Sequence, residues 1–380
     1  MWWIDSTGET GPALHVLLPK VSSMSNNFSE QIIHWQQKHG RHHLPWQQTT
    51  DAYRIWLSEI MLQQTQVTAV IPYYQRFITS FPDVFSLANA SSEQVLAHWS
   101  GLGYYTRARN LHACAKRIVQ EYGGVFPKQA DLLAQLPGIG RSTAAAIAAF
   151  AYGQRAAILD GNVKRVFTRV FGISGAPASK AIENGLWQRA EALLPGDGTK
   201  KIQSYTQGLM DLGATVCTRT KPRCANCPLQ HSCVALATNR VAELPTKKSK
   251  KAIPTRRVVM LVLLSDQQIL LERRPPTGVW GGLFSLPELE IEPDHNQFQL
   301  AVSAFGLLDR VVPLEKIIHT FTHFKLEISP YQCHLKHRQH AVMEDTYIWY
   351  PLNQCEHAPL PAPIKKLLIQ LFKSVSQKVE

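Results

Sequence analysis

The stretch Leu136-Pro137-Gly138-Ile139-Gly140-Arg141-Ser142-Thr143-Ala144 decides the fold of the first half of the chain. It separates a helical pattern from an alanine-rich run, and therefore predicts two helices joined by a tight turn. Gly138 and Gly140 have no Cβ, so another molecule can approach the backbone there, and the N–H groups that open the second helix can hold a phosphate. A plain turn between two packed helices is the alternative.

The region around this hairpin continues the helical pattern. Residues 24–240 have apolar positions three and four apart, with breaks at Pro82, Pro127, Pro137 and Pro195. We expect this region to be the larger body of the protein. Residues 1–23 have no periodic pattern, and we expect them to be a disordered extension that contributes nothing to the fold.

A second domain is predicted after a basic linker. Residues 241–257 are polar, rich in lysine and arginine, and interrupted by prolines. Beyond them the period changes, because Val258–Leu264 and Ile269–Leu271 predict a β-hairpin and Pro363 opens a helix with an apolar stripe. Residues 258–375 are therefore expected to form an α+β domain.

Four cysteines lie close together, with six, two and five residues between them: Cys217, Cys224, Cys227 and Cys233. The other three cysteines are scattered, so the pattern is not that of a small secreted disulfide domain. A metal site is favoured. The uneven spacing fits one loop around an iron–sulfur cluster better than two zinc knuckles, and zinc is the alternative.

The charge balance points to a polyanionic partner. The 380 residues include 40 Lys and Arg against 28 Asp and Glu, for a formal charge of +12. Between Arg219 and Arg257 there are ten basic residues and one acid, Glu243, so we expect the cysteine loop to face phosphate. No stretch is apolar enough to cross a bilayer and no secretion signal is recognisable, so we expect a soluble intracellular protein without a membrane partner.

Glu59 is the single charged residue between Ile55 and Ile71. On a helix it shares its face with Ile55 and Leu62, and desolvation favours the protonated form that a general acid needs. An ion pair with an arginine such as Arg54, or a side chain turned to solvent, is the alternative.

Asp160 lies where an apolar segment ends and a helix containing Val163 and Val166 begins. Asp is a favoured N-cap residue, which is a sufficient structural explanation for its presence. A capping carboxylate also accepts N–H bonds, and we expect it to stay ionised and to stabilise developing positive charge. A neutral acid and a charged carboxylate form the pair that cleaves glycosidic bonds.

Together these motifs resemble the helix-hairpin-helix DNA glycosylases. The segment around Glu59, the hairpin at 136–144, the segment around Asp160 and the cysteine loop occur in the order of that superfamily. Residues 28–372 resemble its MutY-type adenine DNA glycosylases. The resemblance implies one [4Fe–4S] cluster in the loop and, as substrate, duplex DNA with adenine opposite 8-oxoguanine or guanine. It also implies a monomer that works in the cytoplasm at the nucleoid.

The resemblance implies roles for single residues. Glu59 would protonate N7 of an extruded adenine, and Asp160 would stabilise the sugar cation. Gln64 would fill space beside the lesion, while Leu102 and Tyr104 would wedge into the kinked strand. For Leu102 and Tyr104, ordinary core packing is the alternative. The remaining residues expected to contact DNA in this region are Gly138, Gly140, Ser142 and Asn162.

Ser142 bears on the type of reaction. Endonuclease-III-type relatives carry a lysine at the corresponding hairpin position, and this lysine forms a Schiff base that leads to strand cleavage. A serine hydroxyl cannot do so. We therefore expect a monofunctional enzyme that leaves an abasic site, with a bifunctional glycosylase and lyase as the alternative.

The C-terminal domain resembles the Nudix-like domain of the same family through segments 274–284 and 319–324. After Gly281-Gly282 the chain lacks the acidic run that binds magnesium in Nudix hydrolases, so pyrophosphatase activity is not expected. Phe321, Thr322 and His323 match the loop that the family uses to inspect 8-oxoguanine. An alternating strand with His323 half exposed is the alternative.

A function of a different class also remains open. In a non-catalytic DNA-binding scaffold the hairpin and the cysteine loop would grip phosphate, and the two acids would be merely structural. Replacement of Glu59 by Gln separates the two, because only an enzyme would lose adenine release.

Overall fold

Two helices joined by a glycine turn occupy the predicted hairpin in the computed structural model of the chain, which describes residues 21–196, 198–246, 252–289, 295–338 and 346–376. The predicted extension, residues 1–23, lies outside the described residues except for residues 21–23, which open the first helix. The helices are, in chain order, α1 (Val21–His39), α2 (Ala52–Met61), α3 (Val67–Ser80), α4 (Val84–Asn89), α5 (Ser92–Trp99), α6 (Thr106–Tyr122), α7 (Ala130–Leu133), α8 (Arg141–Tyr152), α9 (Gly161–Val170), α10 (Lys180–Ala192), α11 (Thr199–Asp211), α12 (Val234–Ala237), α13 (His295–Val302) and α14 (Ala362–Ser376).

The strands all belong to one mixed sheet. They are β1 (Thr255–Ser265), β2 (Gln268–Arg273), β3 (Phe284–Ser285), β4 (Glu288–Leu289), β5 (Gly306–Pro313), β6 (Ile317–Thr320), β7 (Lys325–Arg338) and β8 (Tyr347–Pro351). The main path through the sheet is β3-β2-β1-β7-β5, with β4 beside β1, β6 beside β7 and β8 beside β2. The predicted α+β class of the C-terminal region is confirmed.

The chain folds into two compact units. The cysteine-loop unit contains the described residues up to Arg41 and those between Arg155 and Lys247. The hairpin unit contains those between His42 and Gln154 and those from Lys248 onward. No helix in the described part of the chain is long and apolar enough to span a membrane.

The glycine turn of the hairpin unit is held by apolar side chains on both sides. Leu136 and Ile139 are buried, and the alanine-rich face of α8 packs against α2. Gly138 has a φ of +76°, and a Cβ placed on it would lie 2.8 Å from the Cβ of Asn110. Gly140 caps α8 with a φ of −84° and has open space around it. Only the first glycine is therefore required by the backbone.

In the cysteine-loop unit, α1 packs against α11 and α9 presents an apolar stripe to the interior. A Cβ on Gly208 would lie 2.7 Å from a methyl group of Ile32, so this glycine lets α1 and α11 approach closely. The fully buried Asp211 pairs with Arg41 at 2.6 Å. Buried charges persist when they are paired in this way.

The central strand β1 of the sheet is buried on both faces over most of its length. Along β1, Met260 and Val262 belong to the core shared with the helices between His42 and Gln154, while Leu261 and Leu263 face a smaller core that includes Phe298 of α13. Strand β1 pairs in parallel with β7, as expected for a continuous apolar run with both faces covered. The predicted β1–β2 hairpin and the predicted last helix, α14, are both confirmed.

We predict that Gly138→Ala will destabilise the protein and that Gly140→Ala will not. The first change forces a side chain into the left-handed region and against Asn110, which should lower the free energy of unfolding by about 1–3 kcal/mol. The second meets open space and should cost less than about 1 kcal/mol. Denaturant unfolding of both variants checks this, and equal losses would contradict it.

Candidate functional site

Glu59 lies on α2 in the hairpin unit, and the predicted helix is confirmed there. Its side chain is half-buried, and its neighbours on the helix are almost wholly enclosed, with Ile55 at 2% and Trp56 at 0% exposure. Arg54, the arginine considered as an ion-pair partner, lies 3.6 Å from the carboxylate of Asp51. A half-buried carboxyl group beside buried apolar side chains is partly desolvated, which is the environment that a proton donor needs.

Gln64 follows directly after α2 in a turn. It is exposed and has a φ of +57°, in the left-handed region that few residues other than glycine adopt. Strain of this kind is concentrated at functional sites. The position is consistent with a side chain held out for contact with another molecule.

A second strained turn contains the two predicted wedge residues, Leu102 and Tyr104, which differ in exposure. Tyr104 is 47% exposed and has a φ of +50°. Leu102 is only 7% exposed and belongs to the hydrophobic core, so the core-packing alternative describes it in this structure. The exposed tip of this turn is therefore the tyrosine.

The two strained turns are joined by Arg107, which was not among the site residues predicted from the sequence. The guanidinium of Arg107 donates hydrogen bonds to the carbonyl oxygens of Gln63 at 2.7 Å and Gly103 at 3.0 Å. A signal for it exists in the sequence, since Arg107 falls on the apolar stripe of α6 that continues with Leu111 and Cys114. An arginine on a core stripe indicates a buried charge with specific partners.

The hairpin glycines face solvent. Gly138 and Gly140 are exposed, and Ser142, in the first turn of α8, is half-buried. The side-chain amide of Gln63 lies 3.5 Å from the carbonyl oxygen of Gly138 and 3.5 Å from the hydroxyl of Thr143. The N-terminus of α8 therefore offers exposed backbone near the turn that carries Gln64.

Asp160 caps α9 in the cysteine-loop unit, as predicted, and accepts a hydrogen bond from the backbone N–H of Val163 at 2.8 Å. Burial raises the pKa of its carboxyl group, whereas the N–H groups of Val163 and Asn162 and the charges of Arg165 and Lys164 act in the opposite direction. Desolvation has the larger effect on this pKa, and the hydrogen bonds and positive charges offset part of it, so the ionised state of Asp160 stays a prediction. A carboxylate with few solvent contacts interacts strongly with a nearby positive charge.

Two arginines of α9 connect the Asp160 end of this helix to the cysteine loop. Arg165 donates to the side-chain oxygen of Asn162 at 2.8 Å and to the carbonyl oxygen of Cys217 at 2.7 Å. Arg169 lies 3.4 Å from the sulfur of Cys217 and donates to the carbonyl oxygen of Thr218 at 2.7 Å. The cysteine loop and the segment that carries Asp160 are thus braced by the same helix.

The four clustered cysteines line one pocket. All four are half-buried and none forms a disulfide. The rest of the lining is mostly apolar, and burial raises the pKa of Cys227 to about 12. Among the described residues, no group of three or more His, Cys, Asp and Glu side chains is arranged to hold a metal ion. Arg219, Lys221 and Arg223 are exposed on the same loop.

Phe321, Thr322 and His323 lie in the turn between β6 and β7, so the alternative of an alternating strand is wrong. The backbone N–H of Phe321 donates to the carbonyl oxygen of Phe324 at 2.9 Å and closes the turn. The rings of these two phenylalanines stack with centroids 4.6 Å apart, while Thr322 and His323 are exposed. Thr322 and His323 are therefore exposed at the tip of a turn whose two ends are joined by stacked phenylalanine rings.

The predicted site residues thus fall into three groups. In the hairpin unit, Arg107 joins the turns of Gln64 and Tyr104, and Phe321, Thr322 and His323 form a separate turn. In the cysteine-loop unit, Asp160, Asn162 and the cysteines belong to one braced assembly. Glu59 and Asp160 belong to different units.

Two protein-family models match the chain. A model described as the HhH-GPD superfamily of base excision DNA repair proteins matches residues 57–192, and one described as the NUDIX domain matches residues 258–370. The structure of a thermostable thymine-DNA glycosylase covers 58% of this chain and 100% of its own, with 28% identity and a TM-score of 0.51. Both predicted fold classes are therefore confirmed.

Curated relatives extend the likeness over nearly the whole chain. The adenine DNA glycosylase of Buchnera aphidicola from Acyrthosiphon pisum is 37% identical over 92% of this chain and 98% of its own. The adenine DNA glycosylase of Mus musculus is 33% identical over 90% of this chain and 77% of its own. On this evidence the chain belongs to the MutY-type adenine DNA glycosylase family of base-excision repair enzymes.

Proposed function

We propose that this enzyme removes adenine paired with 8-oxoguanine or guanine from duplex DNA by acid-assisted cleavage of the N-glycosidic bond. The observation that carries the proposal is the half-buried carboxyl group of Glu59 on α2, with the strained and exposed Gln64 one turn further along the chain. The relatives named adenine DNA glycosylase support the choice of base.

In this proposal Glu59 donates its proton to N7 of the extruded adenine. Protonation withdraws electrons from the bond between N9 and C1′, which breaks and leaves a positively charged sugar. Asp160 stabilises that cation as an anion with few solvent contacts. Water then adds its oxygen to C1′ and gives up a proton that restores the carboxyl group of Glu59, so the products are free adenine and an abasic site.

Extrusion of the adenine is assigned to the exposed tips of the two strained turns. Gln64 and Tyr104 would enter the base stack and replace contacts that the adenine gives up on leaving it. The N-terminus of α8, with Gly138 and Gly140, and the capping turn with Asn162 would hold the phosphates of the distorted strand. Leu102, which is buried two residues before Tyr104, would support the wedge.

Recognition of the opposite base is assigned to the turn between β6 and β7. Thr322 and His323 offer exposed hydrogen-bonding groups, and Phe321 offers a ring face, so the turn can distinguish an oxidised purine by its edge. The stacked Phe324 holds this turn in place.

Ser142 supports a monofunctional reaction. A hydroxyl group cannot form a Schiff base with the abasic sugar, so the strand stays intact until another agent cleaves it. This separates the proposed enzyme from the lyases that resemble it in fold.

We propose that Cys217, Cys224, Cys227 and Cys233 hold one [4Fe–4S] cluster. Support comes from the shared pocket, its mostly apolar lining and the guanidinium of Arg169 beside the sulfur of Cys217, since such clusters carry negative charge. When bound, the cluster would join four points of the loop into one rigid body. Arg219, Lys221 and Arg223 would then be fixed for contact with phosphate.

We also propose that the enzyme acts at the nucleoid as a monomer.

Adenine release from a duplex containing 8-oxoguanine opposite adenine tests the function. The wild-type chain should release adenine and give strand breaks only after alkali. Glu59→Gln should slow single-turnover release by at least about a hundredfold while it binds the duplex as before. Asp160→Asn keeps an N-cap residue and should also lose most of the rate.

Three results would contradict the proposal. They are release of another base in place of adenine, unchanged release by Glu59→Gln, and efficient strand cleavage with a borohydride-trapped adduct. The last result would favour the bifunctional alternative. Absence of release by the wild type, with tight duplex binding, would favour the scaffold.

Iron and sulfide analysis tests the cluster. The purified chain should hold about four iron and four sulfide per molecule and absorb visible light. Cys227→Ser should lose most of the iron and weaken duplex binding about tenfold, because the basic loop loses its shape. Cys355→Ala, which changes a buried cysteine outside the loop, should keep the iron. One zinc per chain in the wild type would contradict the proposal.

A further inference from the structure

Helix α6 carries an arginine where a core side chain is expected. Arg107 is only 8% exposed and shares its stripe with Leu111, Cys114 and Ile118, all of them buried. A buried charge is costly unless hydrogen bonds satisfy it. The partners of its guanidinium therefore explain why an arginine stands there.

One terminal nitrogen of the guanidinium, Nη1, donates hydrogen bonds to carbonyl oxygens at the end of α2 and directly after it. Nη1 donates to the carbonyl oxygens of Ile60 at 3.0 Å, Met61 at 2.7 Å and Gln63 at 2.7 Å. The last carbonyls of a helix lack partners within the helix, and a positive charge is favourable at that end. Arg107 thus fixes the path of the chain directly before Gln64.

The other terminal nitrogen, Nη2, donates hydrogen bonds to residues of both turns. Nη2 donates to the carbonyl oxygens of Leu102 at 3.3 Å and Gly103 at 3.0 Å, and to the hydroxyl of Thr65 at 3.1 Å. The central carbon of the guanidinium also lies 5.5 Å from the centre of the Tyr104 ring, within reach of a cation–π contact. One planar group therefore bonds to the residues on either side of Gln64 and to those just before Tyr104.

The two residues presented by these turns are the strained ones. Gln64 and Tyr104 have φ values of +57° and +50°, which persist only where the surrounding contacts enforce them. If both side chains enter one base stack, their separation has to match the opening left by the extruded base. A fixed bridge between the turns meets that requirement without a further cost at the moment of binding.

We propose that Arg107 is a positioning residue for base extrusion, whose guanidinium sets the separation of Gln64 and Tyr104 by bonding to both turns. The inference rests on the proposed function, since it assigns these two residues to the base stack. Arg107 itself touches no substrate. Lysine keeps the charge but cannot replace the planar fork, because an ammonium group has three donors at a single point.

Base extrusion in the absence of chemistry tests the proposal. Each variant is made in a Glu59→Gln background and mixed with a duplex that carries 2-aminopurine beside the target adenine. Fluorescence of the probe rises when its neighbour leaves the stack. Arg107→Lys should reduce this rise about threefold or more, at protein concentrations that saturate the duplex. In the chain with Glu59 intact, single-turnover adenine release per active site should fall about tenfold.

The matched control lies on the same helix. Arg117 is 35% exposed and binds the carboxylate of Glu121, so Arg117→Lys repeats the chemical change away from the turns. It should match the parent chain in both measurements. If Arg107 acts on stability alone, Arg107→Lys will lower the melting temperature and the active fraction but leave the fluorescence rise per bound site unchanged. That result would overturn the proposal.

A gentler pair of variants decides the matter if Arg107→Lys does not fold. Thr65→Val removes one hydrogen bond to the guanidinium, whereas Thr65→Ser keeps the hydroxyl. Thr65→Val should lower the fluorescence rise and Thr65→Ser should not, and equal behaviour of the two would overturn the proposal. If the wild-type chain releases no adenine, the proposed function fails, while the fluorescence comparison still tests Arg107.

Discussion

The helical part of the hairpin unit depends on the satisfaction of backbone carbonyls at the end of α2. That helix is packed among fully buried residues such as Trp56 and Leu57, yet it ends in a turn that exposes Gln64. The carbonyl oxygen of Ile60 accepts the backbone N–H of Gln63 at 3.3 Å, but the carbonyl groups at the end of a helix also need donors from outside the helix. The guanidinium of Arg107 supplies the donors, and the same group satisfies the carbonyls of Leu102 and Gly103. The same side chain therefore holds the buried end of α2 and the two exposed turns that carry Gln64 and Tyr104.

A similar solution is found in the cysteine-loop unit. Asp160 accepts an N–H at the start of α9, and Arg165 and Arg169 further along the helix bind carbonyl oxygens of the cysteine loop. In both units a charged side chain on a helix orders a segment without regular structure. Such segments can then present functional groups at fixed positions, although they lack a strand or a helix of their own.

Local features of this fold could be predicted from the sequence. The Gly-x-Gly turn, the β1–β2 hairpin, the apolar stripe of α14 and the N-cap role of Asp160 each depend on a few neighbouring residues. Their physical causes, such as left-handed backbone at Gly138 or alternation along β1, are therefore visible in short windows. The cysteine pocket also follows from spacing, because its four cysteines lie within one loop.

Features that depend on distant contacts could not be predicted. The partners of Arg107 are as many as 47 positions away along the chain, so its place on an apolar stripe was the only local sign. Leu102 could have been a wedge or a core residue until its burial was known. The segment from Phe321 to Phe324 contains no Gly, Pro or Asn, so its sequence did not distinguish a turn from a strand. The parallel pairing of β1 with β7 joins residues 70 positions apart in the chain, such as Thr255 and Lys325.

In the proposed reaction, a proton delivered to N7 of an extruded adenine breaks the glycosidic bond. This step is tested most directly with a duplex in which 7-deazaadenine, which has carbon in place of N7, stands opposite 8-oxoguanine. The wild-type enzyme should bind this duplex and extrude the base but release none of it under single-turnover conditions. Release at the rate measured for adenine would show that protonation of N7 is not required.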